Sequence, residues 1–190
     1  KRRDLCIAAS AEGIKTVGTG RNGIACKKQG TDGIEMKALL VIDMQENYLG
    51  KNAKSHYDAE GLIQNINRRI AECQENKELI IYIVNRFFYQ RKAFRPQLAD
   101  GLTAASELLF EKQHADCFSN PDLVRFLEEN SIDEVEVVGI DGQFCVGMSA
   151  LGAVKHGLTV IFNSECVGVK NKAGFQKMKD RLEKAKVIFI

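Results

Sequence analysis

Short apolar runs that alternate with helix-length segments constrain this chain more than any other feature of its sequence. The runs cover residues 38–42, 79–84, 135–140, 158–162 and 187–190, and a shorter candidate covers 108–111. Each run has the length of a strand and is apolar at most of its positions, as is typical of parallel strands that are buried on both faces. The pattern predicts five buried strands, with a sixth at the shorter run.

The segments between these runs carry apolar residues at helical spacing. Residues 62–70 have leucine and isoleucine three and four residues apart, and residues 123–127 follow the helix-start signal SNPD. Two further helices are predicted over 146–156 and 175–184. Strands that alternate with helices through right-handed crossovers form a doubly wound, mainly parallel sheet. The sequence therefore predicts a three-layer α/β/α fold of the Rossmann-like type.

The first 35 residues differ in composition from the rest of the chain. They are rich in glycine and basic residues and show no sustained helical or strand period, which predicts an N-terminal tail or an upstream extension. The alternative is a β-hairpin that turns at Arg21, Asn22 and Gly23. The domain itself is predicted over residues 36–190, because a 190-residue chain with 45% hydrophobic residues can bury one sizeable core.

Charge and hydropathy argue against two classes of partner. A net charge of +2 with interspersed signs gives no electrostatic reason to bind nucleic acid or an anionic membrane surface. No apolar run approaches the roughly 20 residues that span a bilayer. Neither class of partner is therefore expected.

Cysteine usage indicates a reducing compartment. The six cysteines are scattered singly, without CxxC or zinc-ligand spacing. They are Cys6, Cys26, Cys73, Cys117, Cys145 and Cys166. Because the sequence shows no secretory apolar segment, a cytoplasmic protein with free thiols is expected.

Three reactive residues fall at the carboxyl ends of predicted strands, where sites form in open α/β sheets. Asp43 follows LLVI, Lys112 follows LLFE, and Cys145 comes just after VVGI. Each has a structural alternative: Asp43 as a turn residue, Lys112 as a solvated side chain and Cys145 as a small core residue. Cys145 differs from the other cysteines because it begins a predicted helix, whose positive end favours a thiolate.

Three sequence blocks carry these residues and resemble one known family. They are ALLVIDMQENYL, FEKQHADCFSNPDLVRFLEENSIDEVEVVGI and FCVGMSALGAVKHGLTVIFNSE. From Met36 to Ile190 the chain is similar to the isochorismatase-like cysteine hydrolases, the group that includes nicotinamidases and N-carbamoylsarcosine amidases.

The resemblance implies a mechanism and a reaction. Cys145 would be the nucleophile, Asp43 the general base, and Lys112 the cation that holds Asp43 ionised and lowers the pKa of the thiol. Backbone N–H groups of Cys145 and Asp141 would bind the oxyanion, and the Ile140–Asp141 peptide bond would be cis. The substrate implied is a small amide or carbamoyl compound, which is cleaved at a C–N bond through a thioester.

Departures from the family pattern limit what carries over. Metal-dependent nicotinamidases have a DxHxxxH segment, whereas this chain has only His56 nearby, so no catalytic metal and no cofactor are predicted. His56 is expected in a surface loop, His114 in a loop beside the site, and His156 at a helix C-terminus. The turn DGQF replaces the ATDx of many relatives, so a specificity for nicotinamide does not carry over.

The walls of the substrate pocket are predicted from the loops that follow the strands. The candidates are Gln45, Tyr48, Arg86, Phe87, Gln143 and Phe144. Arg86 would hold a carboxylate or another polar group of the substrate. The alternative for the segment NRFFYQRKAFR is a solvated loop or an interface, since relatives are commonly oligomeric and a homo-oligomer is expected here.

Two other functions stay open at this point. The chain would be a non-catalytic binding protein if it kept only the fold, although the presence of Asp43, Lys112 and Cys145 together argues against this. It would be a thiol redox protein if Cys145 paired with Cys117 or Cys166.

Overall fold

The computed structural model describes residues 36–51, 53, 57–87, 90 and 95–190. The tail and the hairpin considered for residues 1–35 lie outside the described residues, as does His56. The described residues form six strands: β1 (Met36–Ile42), β2 (Leu79–Asn85), β3 (Leu109–Lys112), β4 (Ile132–Ile140), β5 (Thr159–Gly168) and β6 (Ile188–Phe189). Their α-helices are α1 (Glu46–Leu49), α2 (Ala59–Asn76), α3 (Pro121–Glu129), α4 (Cys145–Lys155) and α5 (Lys172–Lys184).

The strands form one sheet in the order β3-β2-β1-β4-β5-β6, and every pair is parallel. β1 lies at the centre, where Ile42 pairs with Ile83 on one side and with Gly139 on the other. The carboxyl ends of β1, β2 and β4 therefore meet at one edge of the sheet. The predicted doubly wound parallel sheet is confirmed.

Alternating residues of the central strand enter two separate cores. Leu39 and Val41 pack beneath α2 on one face, and Leu40 and Ile42 pack beneath α3, α4 and α5 on the other. Successive side chains of a strand point to opposite faces, so both sets must be apolar when helices cover both sides. This is why the strand reads as a continuous apolar run, and the three-layer arrangement is confirmed.

Some elements depart from the sequence prediction. The strand predicted over 158–162 continues to Gly168, and a short helix forms over Glu46–Leu49. The second half of β5 has no apolar run, because Ser164 and Glu165 face solvent. The helix over Glu46–Leu49 has only four residues, too few to show a helical period. The last strand is shorter than predicted and contains only Ile188 and Phe189.

No helix among the described residues has the length and apolar composition of a membrane span.

Candidate active site

Asp43 marks the point where the chain leaves the central strand. Its backbone is left-handed with φ of 55°, a conformation that is uncommon outside glycine. The backbone N–H of Asp43 donates to the carbonyl of Ile83 at 2.8 Å, which holds this turn against β2. The residue is 2% exposed and therefore lies within the protein rather than capping a surface turn.

Lys112 ends the edge strand β3, and its side chain passes the end of β2 to reach β1. Its Nζ lies 2.9 Å from Oδ2 of Asp43 and 3.2 Å from Sγ of Cys145, and it also donates to the carbonyl of His114 at 3.3 Å. The lysine side chain is 0% exposed. One buried ammonium therefore contacts both of the other reactive groups.

Cys145 is the first residue of α4 and follows a tight turn after β4. Gly139 permits this approach, because its φ is +114° and a Cβ there would overlap the carbonyl oxygen of Ile42. The Ile140–Asp141 peptide bond is cis. The structure thus brings Asp43, Lys112 and Cys145 together, although the sequence separates them widely.

The thiol of Cys145 is less acidic than its helix position suggested. Burial and the negative charge of Asp43 together raise its pKa to about 12, while Lys112 acts in the opposite direction. Lys112 thus acts on the pKa of the thiol in the expected direction, but burial and Asp43 outweigh it. Attack by this sulfur therefore requires a base to remove its proton.

Burial and mutual attraction both shift the pKa values of Asp43 and Lys112. Burial raises the pKa of Asp43 above its ordinary value, and Lys112 and the Cys145 thiol offset part of that rise. Burial lowers the pKa of Lys112, but the charge of Asp43 and the hydrogen-bonded contacts with Asp43 and Cys145 more than compensate, so its pKa lies above the ordinary value. The lysine is accordingly a permanent cation, and Asp43 is a carboxylate with more affinity for a proton than usual.

Two backbone N–H groups of the turn and the helix start have no hydrogen-bond acceptor among the described residues. They are the N–H groups of Asp141 and Cys145. By contrast, Gly142 donates to Gly168 and Gln143 donates to the side chain of Asp141. Two unpaired N–H groups beside a thiol are the arrangement that binds a developing oxyanion.

A cleft of about 410 Å³ opens onto Asp43 and Cys145. Of the predicted pocket residues, Tyr48, Phe87 and Phe144 line it. The other lining residues are Asn47, Tyr57, Asn85, Ile140, Asp141 and Lys170. Sequence analysis missed Asn47, Tyr57 and Lys170 as pocket residues, because no strand end or motif marks them: Asn47 lies in the short helix α1, and the other two lie in irregular segments.

Three predicted pocket residues do not line this cleft. Gln45 is fully buried, and its amide bonds both the N–H and the carbonyl of Asn85, which ties the end of β2 to β1. Arg86 pairs with Glu111 at 3.0 Å. Gln143 lines a separate cavity beside α5.

The remaining described cysteines, Cys73, Cys117 and Cys166, are free and buried. Burial raises the pKa of Cys117 and of Cys166 to about 12. Thiols in such surroundings are poor nucleophiles.

Comparison with known proteins identifies the family of the chain. The sequence profile of the isochorismatase domain matches residues 37–189. The chain belongs to the isochorismatase family. The resemblance inferred from the three sequence blocks is thereby confirmed.

One curated relative of this isochorismatase-family chain is maleamate amidohydrolase from Pseudomonas putida. It is 34% identical over 64 residues, which are 34% of this chain and 30% of that protein. The match thus spans less than a third of the length of that relative.

Solved structures share the fold over nearly their whole length. A pyrazinamidase from Pyrococcus horikoshii in complex with zinc has a TM-score of 0.68 at 19% identity, over 81% of this chain and 98% of that one. An N-carbamoylsarcosine amidase from Thermoplasma acidophilum has a TM-score of 0.69 at 17% identity, over 81% and 95% of the two chains. At these identities the likeness shows the fold alone.

The described residues do not offer the set of donors that a metal centre needs. No three His, Cys, Asp or Glu side chains among them converge to hold an ion. Of the residues that the structure describes, the only such donors lining the cleft are Asp43, Asp141 and Cys145. Asp43 is paired with Lys112, and the carboxylate of Asp141 accepts three hydrogen bonds from the protein.

Proposed function

We propose that this protein is a cysteine hydrolase that cleaves the C–N bond of a small amide or carbamoyl compound. Cys145 is the nucleophile, Asp43 the general base and acid, and Lys112 their electrostatic partner. The backbone N–H groups of Asp141 and Cys145 bind the oxyanion. The reaction needs water and no cofactor.

One observation carries the proposal. A buried ammonium, that of Lys112, lies 2.9 Å from the Asp43 carboxylate and 3.2 Å from the Cys145 sulfur, and these two partners line a cleft. A base, a nucleophile and a fixed positive charge in mutual contact form the arrangement that activates a thiol for attack on a carbonyl. Membership of the isochorismatase family and similarity to amidohydrolases support the same reaction class.

The first half of the reaction transfers the acyl group to sulfur. The Cys145 thiol gives its proton to Asp43, and the sulfur lone pair forms a bond to the carbonyl carbon as the C=O electrons move to oxygen. The N–H groups of Asp141 and Cys145 stabilise this oxyanion. When the C=O bond reforms, the C–N bond breaks, and the departing nitrogen takes the proton from Asp43. Ammonia or an amine leaves, and a thioester remains on Cys145.

The second half releases the acid. Asp43, again ionised, accepts a proton from a water molecule whose oxygen attacks the thioester carbon. The new oxyanion collapses with cleavage of the C–S bond, and the sulfur recovers its proton from Asp43. The sum is amide plus water to acid plus amine, and the protein returns to its starting state.

The raised pKa values fit these steps. The pKa of Asp43 lies above its ordinary range because the carboxylate is buried, which makes Asp43 a stronger base at neutral pH. Lys112 contacts both Asp43 and Cys145, so it stabilises whichever of the two carries the negative charge. The proton can therefore pass between them while the total charge of the site is unchanged.

The size of the cleft fits a small substrate. A volume of about 410 Å³ falls within the range of roughly 300–1,000 Å³ typical of small-molecule sites. Tyr48, Tyr57 and Phe87 supply apolar walls, while Asn47 and Lys170 supply polar groups. A small amide with one flat or apolar part and one polar part is the expected class.

A substrate screen tests the proposal. Ammonia release is measured for a panel of small primary amides and carbamoyl compounds, with the Cys145→Ala variant run in parallel. At least one compound should release ammonia with the unaltered protein and none with the variant, and mass spectrometry of a quenched reaction should find an acyl group on Cys145. Turnover by Cys145→Ala within about tenfold of the unaltered protein would overturn the proposal.

A further inference from the structure

The carboxylate of Asp141 is held by three hydrogen bonds from different parts of the chain. Oδ1 accepts the backbone N–H of Gln143 at 2.7 Å. Oδ2 accepts the hydroxyl of Tyr57 and the backbone N–H of Lys170, both at 2.9 Å. Asp141 is 8% exposed, so these bonds are made largely out of water, where an ionised acceptor strengthens each of them.

The backbone carbonyl of Asp141 is used as fully as its side chain. It accepts the N–H of Phe144 at 3.0 Å and the N–H of Val146 at 3.1 Å. Asp141 thus accepts five hydrogen bonds, while its own N–H has no acceptor among the described residues. The carboxylate and the carbonyl of Asp141 thus fix the position of the residue. Its N–H makes no hydrogen bond to the described residues and is held in place by those contacts.

The three bonds to the carboxylate join separate elements of the cleft. Gln143 belongs to the turn before the nucleophile, and Lys170 follows β5. Tyr57 directly precedes Asp58, which caps α2 by accepting a hydrogen bond from the N–H of Gly61. One side chain therefore connects the oxyanion turn with two walls of the cleft that come from distant parts of the sequence.

We propose that the Asp141 carboxylate is a positioning group that fixes the oxyanion turn and, through Tyr57, couples it to the wall of the cleft. This inference rests on the proposed function, because it assigns the carboxylate a role in presenting the Asp141 and Cys145 N–H groups to a substrate oxygen. It explains why an acidic residue occupies a turn at which a negative charge would otherwise oppose an oxyanion. The three donors to the carboxylate disperse that charge away from the cleft.

The amide of asparagine would not reproduce these contacts. Asparagine has one acceptor oxygen where aspartate has two, so its NH₂ would face either the N–H of Gln143 or the N–H of Lys170, both of which are donors. The turn would then move to relieve the unmatched donors. A displacement of about 1 Å in a catalytic group lowers rates by as much as 10²-fold, so Asp141→Asn is the informative variant.

Two chemical probes separate the oxyanion site from the thiol itself. Iodoacetamide alkylates a thiol at a saturated carbon, so its reaction with Cys145 forms no oxyanion. p-Nitrophenyl acetate transfers an acetyl group to the same sulfur through an oxyanion and releases p-nitrophenol in a burst. Both are measured on the whole chain and on its Asp141→Asn variant, with Cys145→Ala as the blank. Tyr57→Phe removes only one of the three bonds and is the graded control.

Asp141→Asn is expected to slow the burst by about 10²-fold, on the scale of a lost oxyanion-site donor, while iodoacetamide alkylation stays within about threefold. Tyr57→Phe should slow the burst by a smaller factor, about threefold to tenfold. An unchanged burst in Asp141→Asn would overturn the inference. So would a parallel fall of both reactions, because that would mean a general loss of site structure.

The graded control keeps the test decisive if Asp141→Asn does not fold. In that case Tyr57→Phe decides the inference. The p-nitrophenol burst of this variant must be slower than that of the unaltered protein, while iodoacetamide alkylation of Cys145 must not be. A missing Cys145-dependent burst in the unaltered protein would overturn the proposed function and this inference with it. A normal burst that survives both substitutions would overturn this inference alone.

Discussion

Lys112 and Asp43 form an ion pair at 2.9 Å in which the lysine side chain is entirely buried and the aspartate side chain is 4% exposed. Removing one partner of such a pair leaves an uncompensated charge in the interior, which typically costs about 3–5 kcal/mol. The exposed pair of Asp122 and Arg125 is the matched contrast, since surface pairs contribute about 0–1 kcal/mol.

The first prediction is therefore that Lys112→Ala lowers the free energy of unfolding by about 3–5 kcal/mol, while Arg125→Ala changes it by less than about 1 kcal/mol. In Lys112→Ala the pKa of buried Asp43 rises further above its unfolded value, so the folded variant binds a proton more readily than the unfolded chain. The stability of the variant then falls as pH rises. Its loss of unfolding free energy relative to the unaltered protein is therefore larger at neutral than at acidic pH. Urea unfolding at several pH values measures this, and equal losses for the two variants would contradict it.

Gly139 provides a second prediction about the turn that carries the site. Its positive φ disfavours a side chain, and an added Cβ would also overlap the Ile42 carbonyl oxygen, whereas Gly157 has φ of +81° with nothing within 4 Å of the same position. Gly157→Ala should cost only the backbone term of about 1–2 kcal/mol. Gly139→Ala should cost more than about 3 kcal/mol, because β1 and β4 must separate. Thermal and urea unfolding compare the two, and similar costs would show that β4 adjusts freely.

A third prediction concerns metal. Among the described residues no set of three donors converges on the cleft, so hydrolysis is expected to proceed without an ion. Activity on any substrate found by screening should stay within about twofold after dialysis against a chelator, and added Zn²⁺ should not increase it. His56→Ala should be equally active. Loss of activity on chelation, with recovery on adding one metal, would contradict the prediction.

The fold was predictable because burial on both sides of a sheet leaves a strong pattern. Apolar runs in the sequence predict β1, β2 and β4, and four apolar residues at helical spacing predict α2. The extension of β5 was not predictable, since Ser164 and Glu165 face solvent and break the run. A strand is recognised in a sequence by its buried apolar residues, so an apolar pattern does not detect the exposed part of a strand.

The site was predictable only where strand ends mark it. Asp43 and Lys112 end strands, and Cys145 begins the helix after one, so topology alone brings them near each other. Tyr57 and Lys170 reach the cleft from irregular segments, and only the folded contacts with Asp141 reveal them. Gln45 was predicted as a pocket residue because it follows Asp43, but it is buried and bonds Asn85. Spacing does not distinguish a side chain that faces the cleft from one that faces the core.

A fourth prediction separates the nucleophile from the other cysteines. Cys145→Ala should abolish ammonia release, while Cys117→Ala and Cys166→Ala should keep it within about threefold, since their thiols are buried away from the reacting groups. Cys117 is fully buried, so that variant is first checked for folding by circular dichroism. Loss of activity in a folded Cys117→Ala or Cys166→Ala variant, together with a disulfide that forms reversibly under mild oxidant, would favour a redox function.

The last prediction uses the opposite effects of Asp43 and Lys112 on one thiol. Burial and the charge of Asp43 raise the pKa of Cys145 to about 12, and Lys112 lowers it. Asp43→Asn should therefore lower the pKa of Cys145, because the nearby negative charge is removed, and Lys112→Ala should raise it.

Both variants should nevertheless lose hydrolysis by several powers of ten, since Asp43→Asn removes the base and Lys112→Ala removes the charge that stabilises both anionic forms of the site. The rate of iodoacetamide alkylation is measured against pH for each variant, alongside ammonia release. A thiol that becomes more acidic while catalysis disappears identifies proton transfer to Asp43, rather than thiol acidity, as the limiting requirement. If Asp43→Asn instead left the pKa of Cys145 unchanged or raised it, Asp43 would not be acting on the sulfur, and its assignment as the base would be wrong.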